Sequence, residues 1–266
     1  MYSHWISLKS IYKKILKMYN IYMTRMLLKI EYDGTNYSGW QKQPNQKTIQ
    51  GEIEEAFARA TGDRIELFGS GRTDAGVHAL GQTAHFDTKL PIPISKITEI
   101  LNNQLPNDIV IKSACQVADD FHARFSIKKK CYLYKIYNGQ EKNAFLANHV
   151  GWVKKELDIE KMREIAKILI GKHDFKGFCS SNTATLDFVR KIFSIDINQE
   201  EDFIYIEVVG NGFLYNMVRI IVGTLVDYSL GRLSLQDVKD ALKKGDRQKS
   251  GQTMAASGLY LKETFY

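Results

Sequence analysis

Residues 213–230 constrain the fold more than any other part of the chain. They are apolar along nearly their whole length, so they either cross a membrane or lie in a core. Asn216, Arg219 and Asp227 interrupt them, which favours a buried helix of a soluble protein, closed by Gly231. No membrane span is expected. Arg219 is the only cation in that helix, and burying it unpaired would be costly, so a carboxylate partner is expected elsewhere in the chain.

The 266 residues suffice for a large core, as one extended domain or two compact halves. Leu28, Ile30 and Tyr32 alternate with polar residues as a half-buried strand does, and Tyr132, Tyr134 and Ile136 share one strand face. Ile49, Ile53, Ala56, Phe57 and Ala60 make a helical stripe ended by Gly62, and Ile159, Met162, Ile165, Ala166 and Leu169 make another ended by Gly171. Residues 65–68, 82–88, 109–112 and 259–261 read as strands, and residues 94–101 as a helix. Residues 189–209 read as a hairpin turning through 198–202, with Phe193, Ile195 and Ile197 on one face of its first strand. Ser234 and Asp237 form a capping box for a further helix. The pattern is α+β: two α/β halves with mixed or antiparallel sheets, divided near residue 148 into 26–148 and 149–266.

The formal charge is +7, from 37 Lys+Arg and 30 Asp+Glu, which suits a polyanionic partner. Cys115, Cys131 and Cys179 are dispersed and odd in number. That argues against a disulfide framework or structural zinc, and fits a reducing cytosol. Residues 1–25 lack a signal-peptide core; they read as a basic helix touching RNA or a membrane surface, or as a dispensable extension, the second being favoured.

The run from Gly69 to Ala79 holds three glycines within eight residues, so a ligand can approach its backbone closely. Arg72 and Asp74 stand two apart within it. In an extended stretch they point the same way, and the guanidinium would keep Asp74 ionised for attack at a sugar carbon. A surface loop with a local Arg–Asp pair is the competing reading. A P-loop is excluded, because the Lys-Ser/Thr ending is missing.

The run GSGRTDAGVHALGQ resembles the signature of the tRNA pseudouridine synthase A family. Tyr37-Ser38-Gly39-Trp40-Gln41, Phe121-His122-Ala123-Arg124-Phe125-Ser126 with Lys130-Cys131-Tyr132, and Gly210-Asn211-Gly212-Phe213 through Arg219 are similar to its other blocks. The resemblance implies that Asp74 is catalytic, that Tyr132 packs on the target base and that Arg219 pairs with Asp74. It implies two halves meeting at a central basic cleft, a cytoplasmic homodimer, and uridine at positions 38 to 40 of tRNA as the target. The implied reaction needs no cofactor and no metal. Arg72, Arg124 and the loop Ser180-Ser181-Asn182 are candidates for RNA contacts. His78, His85 and Asp87 match no metal-ligand spacing.

Two rivals remain open on sequence grounds: a non-catalytic RNA-binding module, and a metal-dependent hydrolase using Asp74, His78 and His85. One departure from the family pattern stands at Met254-Ala255-Ala256-Ser257-Gly258-Leu259, which lacks a proline and puts the path into the last strand in question.

Overall fold

Alternating and helical patterns become ten strands and five α-helices among the described residues, which are 23–180 and 185–266 of the computed structural model. Residues 1–22, with the helix expected there, lie outside that range, as do Ser181 and Asn182. In chain order the elements are β1 (Thr24–Tyr32), α1 (Ile49–Thr61), β2 (Phe68–Gly69), β3 (His78–Thr88), α2 (Ile94–Asn102), β4 (Ile109–Gln116) and β5 (Lys129–Tyr137). There follow β6 (Gly151–Trp152), α3 (Ile159–Leu169), β7 (Gly171–Asp174), β8 (Val189–Glu200), β9 (Phe203–Gly210), α4 (Met217–Ser229), α5 (Leu235–Lys244) and β10 (Leu259–Phe265).

The class is α+β, and one sheet holds all ten strands of the described residues. Its order is β4-β1-β3-β10-β5-β9-β8-β7, with β2 added to β3 and β6 to β5. Pairing is antiparallel except between β10 and β3 and between β5 and β6. β10 is the last strand in sequence but sits in the middle of the sheet. On one side Tyr260 and Leu261 pair with His78 and Ala79 of β3; on the other Leu259 and Leu261 pair with Tyr134 and Tyr132 of β5.

Local chemistry sets the helix ends. Thr48 accepts a hydrogen bond from the Gly51 amide to start α1, and Gly62 ends it in the left-handed region at φ 76°. Ser234 and Asp237 form the expected reciprocal box at the start of α5. Phe57 of α1 meets Phe86 of β3 edge-on, with centroids 5.3 Å apart, and this packs the helix onto the sheet. No helix of the described residues is long and apolar enough to cross a membrane.

Nearly all of α4 is buried, and three of its polar residues turn to one segment. Arg219, Thr224 and Asp227 all reach the segment 251–254 that leads toward β10. Arg219 Nε donates to the Met254 carbonyl (2.6 Å), Thr224 Oγ1 accepts from the Gly251 amide (2.9 Å) and Asp227 Oδ2 from the Gln252 amide (3.0 Å). Backbone groups that would otherwise be orphaned are thereby paired. Gly223 sits between these side chains, where a Cβ would fall on the Gln252 carbonyl. Farther on, the Tyr134 hydroxyl donates to the Ala255 carbonyl (2.9 Å), so the path into β10 is held without a proline.

Three local expectations are corrected. The strand at 65–68 shrinks to Phe68–Gly69, because only that pair meets β3, at His85 and Ala84. The hairpin turns at Glu201–Asp202 rather than through 198–202, since Asn198, Gln199 and Glu200 pair across to β9. Phe193 leaves the face of Ile195 and Ile197: the register slips between Ile192 and Ser194, so Ile192 is buried and Phe193 is exposed. An extra residue in one strand reverses the inside–outside alternation beyond it.

Gly223→Ala is expected to destabilise the protein by about 3 kcal/mol or more, because backbone must move. Gly62→Ala, where a Cβ meets nothing within 4 Å, should cost only the strain of its positive φ, roughly 1–2 kcal/mol. Denaturant unfolding checks the order; equal losses would contradict the close packing assigned to α4.

Candidate active site

The glycine run becomes the connection between β2 and β3, pinned from several sides. Gly69 lies against Trp40, where a Cβ would stand 2.5 Å from the indole nitrogen. Gln82 of β3 accepts from Ser70 Oγ (2.5 Å) and donates to the Gly71 carbonyl (2.9 Å). Thr73 is buried, sharing a hydrogen bond with the Tyr32 hydroxyl (2.7 Å), while its carbonyl accepts from the Trp40 amide (3.0 Å). Gly39, at φ 91°, passes so close that a Cβ would lie 2.6 Å from the Thr73 carbonyl. The block Tyr37–Gln41 is therefore a cradle for the loop.

Asp74 opens the turn that follows. The Val77 amide bonds to its carbonyl (3.1 Å), and Gly76 supplies the positive φ of 74° that the turn requires. The side chain is half-buried. Burial pushes the carboxyl above its ordinary value, and the positive charge of Arg219 opposes that rise without cancelling it. Tyr132 is buried beside it: burial first, and Asp74's negative charge second, hold its phenol protonated well above the ordinary range. Phe213 stands edge-on to the Tyr132 ring at 5.0 Å. The structure thus brings Asp74, Tyr132 and Arg219 into one electrostatic neighbourhood.

The details differ from the simple pairing expected. Arg219 acts on Asp74 through charge, not through an ion pair within 4 Å. Its Nε is held by Met254, and its Nη1 donates to Asn216 Oδ1 (2.8 Å). Asn216, left-handed at φ 61°, in turn donates to Ser180 Oγ (2.9 Å). Arg72 does not lower the Asp74 carboxyl. It is exposed and its Nε donates to Gln41 (3.1 Å), the end of an amide chain running through Gln50 to Glu54. Arg124 is exposed beside Phe125.

His78, His85 and Asp87 do not gather. His85 lies with His122, and Asp87 grips Arg25 with both oxygens. Among the described residues the cluster that does form is Asp33, His78 and His149, within 4.8 Å, where the Gly34 amide already occupies His78 Nδ1. Sequence reasoning passed over Gln41, Gln82 and Lys130. Lys130 was legible, since it alternates with Tyr132 on β5 and so shares its face; its Nζ donates to the Ser70 carbonyl (2.8 Å).

Arg219→Met should raise the Asp74 carboxyl further, because burial then acts unopposed. Carbon-13 NMR titration of labelled aspartate carboxyls measures this; an unmoved Asp74 resonance would refute the coupling.

The family model described as tRNA pseudouridine synthase matches residues 29–126 and 165–266. A protein of Caldicellulosiruptor saccharolyticus named tRNA pseudouridine synthase A is 50% identical over 244 residues, 92% of this chain and 100% of that one. Proteins of the same name from Caldicellulosiruptor bescii and Brevibacillus brevis are each 46% identical over the same shares of both chains. Among solved structures, one of a Cbf5-Nop10-Gar1 complex covers 86% of this chain and 70% of its own at 12% identity and a TM-score of 0.34, too low to establish a common fold. The matched segments include the Asp74 loop and Arg219, and the chain belongs to the tRNA pseudouridine synthase family, whose reaction is an isomerisation of uridine.

Proposed function

We propose that the protein isomerises uridine to pseudouridine at positions 38 to 40 of the tRNA anticodon stem-loop, with Asp74 as the catalytic carboxylate. The observation that carries this reading is the half-buried Asp74 carboxyl, fixed on a rigid turn between the charge of Arg219 and the ring of Tyr132. A uridine drawn out of the RNA stack would lay its base on Tyr132, an aromatic face backed by Phe213. Asp74 would then attack the ribose or take a proton from it, and the N1–C1′ bond breaks. The freed uracil turns and C5 bonds to C1′, which releases Asp74 from the sugar or is followed by return of the ribose proton; the proton that C5 gives up is balanced by one gained at N1. Atoms and electrons balance within the nucleotide, so the reaction calls for no redox cofactor. Arg72 and Arg124, both exposed, are suited to phosphate contacts. In this reading residues 26–148 supply the loop, residues 149–266 supply Arg219, and the enzyme works as a cytoplasmic homodimer.

Chemical mapping of pseudouridine in an unmodified tRNA transcript tests the proposal. The wild-type protein should modify positions 38 to 40. Asp74→Asn should lose at least about a thousandfold in turnover while tRNA binding stays within a few-fold; full turnover by that variant would overturn the assignment. The same variant should also gain stability. A carboxyl whose folded pKa is raised binds protons more readily in the folded state, so its cost to stability sets in as pH rises above the unfolded pKa and is complete above the folded one. The gain over wild type should appear at pH 7 and vanish near pH 3 in thermal unfolding.

A further inference from the structure

We propose that Lys130 and Arg124 form a phosphodiester-binding site at the mouth of the active site, holding one RNA backbone phosphate beside the extruded nucleotide. This rests on the reading above and adds Lys130 to it.

Lys130 lies two residues before Tyr132 on the same face of β5. Its Nζ reaches across Gly71, where a Cβ would lie 2.5 Å away, so the glycine leaves room for the ammonium in this position. One N–H goes to the Ser70 carbonyl, which leaves two of its three donors for another acceptor. Arg124 stands on the turn 121–126, and its charge reaches Lys130. The Ala123 amide donates to His85 Nδ1 (3.2 Å), Tyr266 donates to the Ala123 carbonyl (2.9 Å), and His122 and Ser126 close the turn.

Among the described residues no acid offsets the charge of Lys130. Gly210 of β9 and Thr264 of β10 flank Lys130 in the sheet, and Gln82 and Thr83 of β3 offer amide and hydroxyl groups. The nearby loop carries Asp74 and Arg72. The group whose charge acts on Lys130 is Arg124, which is also positive; burial first and Arg124 second bring the ammonium down to about 8. Among the described residues neither cation is in an ion pair. A desolvated ammonium and an exposed guanidinium whose charge reaches it oppose each other in the free protein, and a phosphate bridging them removes that cost. Lys135, also lowered by burial, lies over Tyr260 on the opposite face of β5 and does not face this site.

The test measures binding of an unmodified tRNA transcript carrying uridine at positions 38 to 40, between pH 7 and 9 and at several salt concentrations. The full-length Asp74→Asn protein serves as parent, so that the RNA stays unmodified. Protonated Lys130 is the binding form, so the parent should weaken several-fold as pH rises from 8 to 9. Lys130→Arg should keep the affinity and lose that pH dependence. Lys130→Met should bind about tenfold more weakly at pH 7, with the salt slope reduced by roughly one counterion. A parent profile flat from pH 7 to 9, or a Lys130→Met variant with an unchanged salt slope, would overturn the site. Should Lys130→Met fail to fold, the parent and Lys130→Arg profiles decide. A lysine that merely braced Ser70 would lower turnover without moving either readout. Pseudouridine mapping with wild type runs in parallel: no product alongside intact Lys130 effects would sink the activity and leave the phosphate site standing.

Discussion

Everything in the centre of the molecule is registered by β10. Its residue Leu261 pairs with Ala79 on one side and with Tyr132 on the other. Ala79 lies five residues after Asp74, just beyond the turn closed by Val77. One short strand thus fixes the spacing between the carboxylate loop and the aromatic strand through main-chain hydrogen bonds. A slip by one residue would turn Tyr132's neighbours to the wrong face.

The charge environment depends on the same strand at one remove. Arg219 is aimed by the Met254 carbonyl, and Met254 belongs to the segment that α4 holds through Thr224 and Asp227 before it enters β10. The polar residues of α4 therefore serve both packing and electrostatics. Burial raises Asp74, and a guanidinium held beyond contact moderates it. A contact ion pair would hold the carboxylate lower and engage the oxygens that chemistry needs.

Much of this was legible in the sequence where the cause is local. Thr48 with Gly62, and Ser234 with Asp237, mark helix ends by their own hydrogen bonds. The alternation in β1 and β5 marks buried faces, and the grouping of Asp74, Tyr132 and Arg219 followed from family resemblance. What was not legible is non-local. The bulge beside Phe193 depends on how β8 meets β9, and the sequence carries no sign of the extra residue. Arg72 was placed beside Asp74 by spacing alone, but Gln41, on the neighbouring cradle, captures it. The central position of β10 could not be read from its three alternating residues, because its partners lie about 130 and 180 positions away.

That placement has a consequence for how the protein is made. The ribosome releases β3 and β5 long before residues 259–265, so both strands must wait with an unpaired edge during synthesis. A nascent chain halted short of β10 would keep a cleft down its middle, open to any stray extended peptide.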